Sequence, residues 1–198
     1  MAEMVDRRLF EELAKRGPEE IIDPLFCTYN EVDECYCVTA WGEQYAVYPK
    51  SARIEMVQGS GKPHDYFYVF LVNYMLSQKS VTSVGEWISV KDLPGGVTFF
   101  RGPHEIPTQA VTQSYGNDLA LLKKRCEELG GTPLDLADCS YSFDIIGNMQ
   151  ITLLYWQGDE DFPAEAGVLI DKSIMATPLD VVYALLCDVC MRIGNQAA

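Results

Sequence analysis

The densest set of reactive groups in this chain is carboxylate. Asp159, Glu160 and Asp161 come after an apolar run that ends at Trp156, and Asp171 comes after another at 168–170. If both runs are strands whose ends lie side by side, Asp159, Asp161 and Asp171 converge at one sheet edge. There they could hold a hard divalent cation, or raise one another's pKa so that Glu160 or His104 transfers a proton. The competing reading is a solvated acidic turn with Asp171 capping the segment after it. Asp138 and Ser140 precede the same hairpin, and Asp180 favours the N-terminus of the final helix electrostatically, a role that needs no ligand.

Both histidines come directly after a proline, in Lys62-Pro63-His64 and in Gly102-Pro103-His104 with Arg101 close by. A loop imidazole can ligate a metal or macrocycle or shuttle protons, but two histidines without spaced partners are not a metal signature. His104, beside Arg101 and the Pro94-Gly95-Gly96 turn, is the stronger functional candidate, whereas His64 sits next to a helix start. Trp41, Trp87 and Trp156, with Tyr155, Phe99 and Phe100, supply flat apolar surface suited either to a planar cofactor or to an ordinary core. Cys35-x-Cys37 in a strand and Cys187-x-x-Cys190 in a helix each point two thiols nearly one way. Among Val, Leu and Ile such thiols serve as small buried hydrophobes, and a four-thiolate site would require the fold to bring the two pairs together.

These residues need elements to position them. Leu9, Phe10 and Leu13 repeat at helical spacing over 6–15, and Pro18 suits the first turn of a second short helix through Ile22. Alternation over 35–48, broken at Gly42, reads as a hairpin, with a further strand at 53–57. Asp65 caps a helix with a broad apolar stripe of Phe67, Phe70, Leu71, Tyr74 and Met75. The stretch 84–104, with its Pro-Gly-Gly turn and Pro103, reads as a loop. A helix starts at Asn117 or Asp118 and closes at Gly130-Gly131. Strands at 141–146 and 149–156 are joined by Gly147-Asn148, a third strand lies at 168–170, and Pro178 opens a last helix over 179–193. Strands cluster in two groups and do not alternate with helices, so the expected fold is α+β, largely antiparallel sheet with packed helices and a C-terminal helix. No repeat and no Pro- or Ser-rich linker divides the chain, so one domain over 1–198 is expected, with 58–65 as the place for a subdivision.

The chain has 198 residues, 48% of them hydrophobic, with a net charge of −14. That is enough apolar material for a substantial core, and a field that repels phosphate backbones and anionic lipid, which excludes nucleic acid and membrane surfaces as expected partners. Residues 1–15 lack a signal-peptide core, and the run 66–76 is too short to span a bilayer. Seven cysteines without a secretory signal fit reduced thiols in a cytoplasm. Gly-x-Gly-x-x-Gly, phosphate-loop and nucleophile-elbow patterns do not occur, which disfavours standard nucleotide enzymes and serine hydrolases.

GEWISVKDLPGG at 85–96, Gly130-Gly131 with Asp138 after it, and WQGDEDFPAEAGVLIDKSIMATPLD at 156–180 resemble a domain family of unknown function numbered 3786, over most of the chain. The resemblance implies a soluble domain of anaerobes, in some members joined to four-iron cluster modules or found beside corrinoid and iron–sulfur proteins of one-carbon metabolism. This chain lacks the four-cysteine run of such a module, so no intrinsic iron–sulfur cluster is expected. The resulting expectation is an accessory domain that binds a small molecule or cofactor, with corrinoid, haem or a divalent metal as ligand, or a corrinoid or iron–sulfur protein as partner. The site residues expected are Trp87, Arg101, His104, Trp156, Asp159, Asp161 and Asp171, with Asp159, Asp161 and Asp171 as metal ligands. A metal-assisted enzyme and an acidic protein-interaction module are the alternatives.

Overall fold

The computed structural model describes residues 5–60, 63–77 and 82–194. In chain order the elements are α1 (Arg7–Lys15), α2 (Pro18–Ile21), β1 (Cys27–Asn30), β2 (Cys35–Ala40), β3 (Glu43–Tyr48), β4 (Arg53–Gln58), α3 (Asp65–Ser77), β5 (Trp87–Ser89), α4 (Gly96–Phe99), α5 (Gln109–Tyr115), α6 (Leu119–Glu128), β6 (Thr132–Leu134), β7 (Cys139–Ile146), β8 (Met149–Trp156), β9 (Glu165–Asp171) and α7 (Leu179–Gly194). All strand pairings are antiparallel, and the main path of the sheet runs β4-β3-β2-β7-β8-β9-β5, with β1 on β2 and β6 on β7. The α+β class with a C-terminal helix is therefore the observed one.

Local chemistry explains the boundaries. Asp6 caps α1 by accepting the Arg8 N–H at 2.9 Å, and Asp118 caps α6 by accepting that of Leu121 at 3.0 Å, each satisfying a donor that the first helical turn leaves over. The β2–β3 turn places Trp41 and Gly42 at φ 55° and 68°, the left-handed pair that matches hairpin twist. Asn is absent there, so a tryptophan accepts the unfavourable φ; it is held by its N–H on the Ile145 carbonyl at 2.7 Å. The sheet divides into two sets, β1–β4 and β5–β9, joined between β2 and β7 by the single register pair Ala40↔Ile146.

Register assigns the faces, since partners directly opposite point the same way. Tyr36, Val38, Tyr45, Val47 and Ile54 in the first set, and Tyr141, Phe143, Ile151, Leu153, Tyr155 and Ile170 in the second, are at most 5% exposed and form the inner face. Helices α3, α5, α6 and α7 lie on it: Phe67 of α3 meets Tyr45, the Tyr155 hydroxyl donates to the Gly116 carbonyl after α5, and the Tyr141 hydroxyl reaches Glu127 of α6. α7 is apolar nearly all round, with Val181, Val182, Leu185, Leu186, Val189 and Ile193 buried; each such side chain contributes about 1.5–3 kcal/mol on burial.

Three departures from the sequence expectations have local causes. The 84–104 stretch is not an irregular loop. It holds β5, a 3-10 turn at Val90–Asp92 with a Ser89/Asp92 capping box, and α4, and β5 forms because its three residues pair with β9. β9 extends from Glu165 to Asp171, longer than its apolar centre, because its ends pair with Trp156 and Trp87. β1, β6 and α5 carry too few periodic residues to stand out and exist through their neighbours.

Candidate functional site

The two Pro-His loops, far apart in sequence, meet on α7. Gly102–His104 forms a 3-10 turn whose start at Gly102 (φ 55°) needs glycine's freedom, and it delivers the His104 imidazole flat against Phe99, 4.5 Å between ring centres at 13°. Tyr183 packs against His104 in a T-shaped arrangement at 5.3 Å and 87°, and the Tyr183 hydroxyl donates to the Pro103 carbonyl at 3.1 Å. On the far side of Tyr183 stands Tyr66 at 5.8 Å, and His64 stacks on Tyr66 at 5.1 Å and 19°. The His64 Nδ1 accepts the Tyr66 N–H at 3.3 Å, capping α3 and leaving Nε2 as the nitrogen outside that contact. A continuous strip Phe99–His104–Tyr183–Tyr66–His64 results, with His104 and Arg101 exposed and the other four rings half-buried. Burial, followed by the neighbouring Cys187, raises the Tyr183 hydroxyl well above its ordinary range, and burial likewise raises the Cys187 thiol. Tyr183 is therefore a neutral hydrogen-bond donor on this strip.

Behind the strip lies a buried ionic network. Asp188, wholly buried, accepts from Trp41 Nε1 (3.1 Å), Arg192 Nε (2.9 Å) and the His64 N–H (3.3 Å). Arg192, 5% exposed, also reaches Glu43 Oε2 at 3.0 Å and the Tyr45 hydroxyl at 3.1 Å, and the Tyr45 hydroxyl donates to Glu43 at 2.5 Å. The guanidinium lies over the rings of Phe67 (5.0 Å) and Trp41 (5.1 Å). Burial raises the Asp188 carboxyl, and the Arg192 charge opposes that rise. The network joins α7, β3, the Trp41 turn and the His64 loop, and so fixes one end of the strip. Sequence reasoning did not find it. The signal was present: Asp188 and Arg192, four apart, are the two charges beyond the first turn of an otherwise apolar helix, a spacing that pairs them on one face.

The remaining expected site residues divide between other places. Trp87 and Trp156 both lie on the outer face of the sheet, opposite Asp171 and Glu165 respectively. Asp159 and Asp161 stand on the exposed turn between β8 and β9, where Asp159 accepts the N–H groups of Asp161 and Phe162 at 2.8 Å, and these donors lower its carboxyl. Asp171 is at the other end of β9, six residues away from Glu165, roughly 20 Å at strand rise. The antiparallel register thus keeps Asp171 apart from Asp159 and Asp161, and the three do not form one cation site. Among the described residues, no group of three or more His, Cys, Asp or Glu side chains is arranged to hold a metal ion.

Asp171 has a different task. Fully buried, it accepts from Ser83 Oγ (2.8 Å), the Val84 N–H (3.1 Å), the Gly85 N–H (2.8 Å) and the Ser173 N–H (2.9 Å). Burial alone would raise its carboxyl; donors from Ser173, Ser83 and Val84 outweigh it and hold the pKa at about 2. The thiol pairs also separate. Cys37 is exposed on the outer face of β2 with Thr28 opposite, whereas Cys187 and Cys190 are buried on α7 behind the inner face. A cavity of ≈ 330 Å³ opens beside Cys37, lined by Leu25, Thr28, Thr39 and Gln44 among others.

Fold and site together define a helix-backed antiparallel-sheet protein with a surface strip of packed aromatic and imidazole rings. The chain belongs to the family described as Domain of unknown function (DUF3786), whose profile matches residues 17–191. No curated protein matches the sequence, and no solved structure does. No helix among the described residues is long and apolar enough to cross a membrane.

Proposed function

We propose that this protein is an accessory binding domain that takes a flat conjugated cofactor, of corrinoid or haem class, on the His104–Tyr183–Tyr66–His64 strip. The supporting observation is the pose of His104: an exposed imidazole stacked on Phe99 and packed at right angles to Tyr183, so that a ligand meeting it loses little side-chain entropy. Arg101 at the same turn offers a cation to acidic substituents of such a ligand, and the neutral Tyr183 hydroxyl offers a donor. Such a group would supply a metal centre able to take an imidazole nitrogen as ligand, and His104 would be the residue to hold it. The strip is a surface and not an enclosed pocket, which suits a ligand that is received and passed on. In this role the protein serves corrinoid or iron–sulfur partners of one-carbon metabolism in anaerobes, in the cytoplasm.

The test is anaerobic purification with absorbance and elemental analysis, then titration of the protein with hydroxocobalamin and, separately, haemin. A saturable shift of the corrin or Soret band, lost in His104→Ala and retained in Trp156→Ala, is the expected result. Absence of a shift with both ligands, or an equal shift in a His64→Ala/His104→Ala double variant, overturns the proposal.

A further inference from the structure

The sheet face turned away from the helices is only partly covered. Register brings Leu154 and Leu169 to its middle, Trp87 to one end and Trp156 to the other. Leu154, Leu169 and Trp87 are half-buried, and Trp156 is 38% exposed with its ring lying over Gly167, 3.6 Å from where a Cβ would stand. The apolar character continues past the strand ends. Leu136 (49% exposed) stands on a turn that its own N–H ties to Ser140 Oγ, and Phe162 (71% exposed) on the β8–β9 turn. Three exposed large apolar side chains, Leu136, Trp156 and Phe162, thus stand beside the half-buried Leu154 and Leu169 at one end of the face, an exposure that marks a contact site.

Charge says what fits there. The Trp156 end is rimmed by exposed Asp138, Asp159, Glu160, Asp161 and Glu165, while at the Trp87 end Glu86 is neutralised by Lys172 at 2.7 Å. An occupant is thus apolar along its length and basic at the end that meets the β8–β9 turn. A second copy is a poor candidate, because two chains of net charge −14 repel as they approach. We infer that the outer face of β8–β9–β5 docks a basic amphipathic helix of another protein, its apolar side on Leu154, Leu169 and Trp156 and its Lys or Arg residues against the acidic turn. The inference does not rest on the histidine strip, which lies on the helix side of the molecule.

Two synthetic helical peptides with one Leu pattern, carrying either Lys or Glu at the polar positions, test it on the full chain. Trp87 and Trp156 report contact by fluorescence. The Lys peptide is expected to bind at least about tenfold more tightly than the Glu peptide, and the triple reversal Glu160→Lys/Asp161→Lys/Glu165→Lys to remove that preference. A second triple reversal of equal charge change on the opposite region, Glu11→Lys/Glu19→Lys/Glu20→Lys, is expected to leave it intact. All six positions are exposed, so both variants retain the fold. Equal loss in the two triple variants means attraction by net charge alone and overturns the proposal. So does Lys-peptide binding unchanged by Trp156→Ala, or a protein dimer in sedimentation that Leu154→Ser dissolves, since a second copy then covers the face.

Discussion

Replacing Asp171 by asparagine isolates the contribution of one buried charge. The side chain keeps its size and one carbonyl oxygen, but loses the negative charge to which Ser83, Val84, Gly85 and Ser173 donate, and its new NH₂ group faces donors. A carboxyl held at about 2 in the fold and at the ordinary 3.8 when unfolded stabilises the native state by about 2 kcal/mol at neutral pH, at 1.36 kcal/mol per pKa unit. The sign follows from the lowered value: this stability is fully present above the unfolded pKa of 3.8 and disappears as pH falls through about 2. Urea unfolding of wild type and Asp171→Asn, followed by far-UV dichroism at several pH values from 7 to 2.5, should show a gap of about 2 kcal/mol or more at neutral pH that narrows steadily below pH 4. Amide exchange at Val84 and Gly85 should quicken in the variant. A gap that is absent, or the same at neutral and acid pH, refutes the view that an ionised Asp171 pins the 82–86 segment to β9. A wild-type stability that rises with added divalent cation and no such response in the variant would show instead that the carboxylate is a metal ligand.

Three further outcomes are expected. Arg192→Met leaves Asp188 buried without its countercharge and should cost about 3–5 kcal/mol in urea unfolding; because the Asp188 carboxyl is raised in the fold, its ionisation costs stability as pH rises, so the deficit of the variant should shrink toward acid pH. Thr152→Val removes a buried hydroxyl that has no hydrogen-bond partner and should stabilise by about 1 kcal/mol, read as a higher urea midpoint at unchanged slope. Among the seven cysteines only Cys37 is exposed, so native labelling with a thiol reagent should give one fast-reacting group that Cys37→Ser abolishes.

The parts of the fold legible in the sequence are those whose signal is local. The Gly147-Asn148 turn between two apolar runs, the Asp118 cap and the Pro178 start of α7 each carry their own chemistry, and each element stands where that chemistry places it. β6, with the sequence Thr-Pro-Leu, has no such signal and exists because β7 offers it an edge. The candidate carboxylates illustrate a different limit. Strand content around Asp159 and Asp171 was readable, but which ends of two antiparallel strands coincide depends on register, and register puts Trp156 opposite Glu165, which sends Asp171 to the far end. His104 was singled out from its own neighbourhood, whereas its meeting with Tyr183, Tyr66 and His64 depends on the path of α7 and could not be read from any segment alone.

The junction between the two strand sets has a mechanical consequence. Across the sheet the two sets are tied, among the described residues, only by the register pair Ala40↔Ile146 and the neighbouring Trp41 N–H on the Ile145 carbonyl, so α7 adds a second coupling: its Arg192 grips Glu43 and Tyr45 of the first set while the Arg125 guanidinium, from α6 on the second, holds the Arg192 carbonyl at 2.7 Å. One residue thus serves as a rivet through both plates, by its side chain toward one and its backbone toward the other. Loosening it should let the plates pivot against each other while each keeps its own internal pairing.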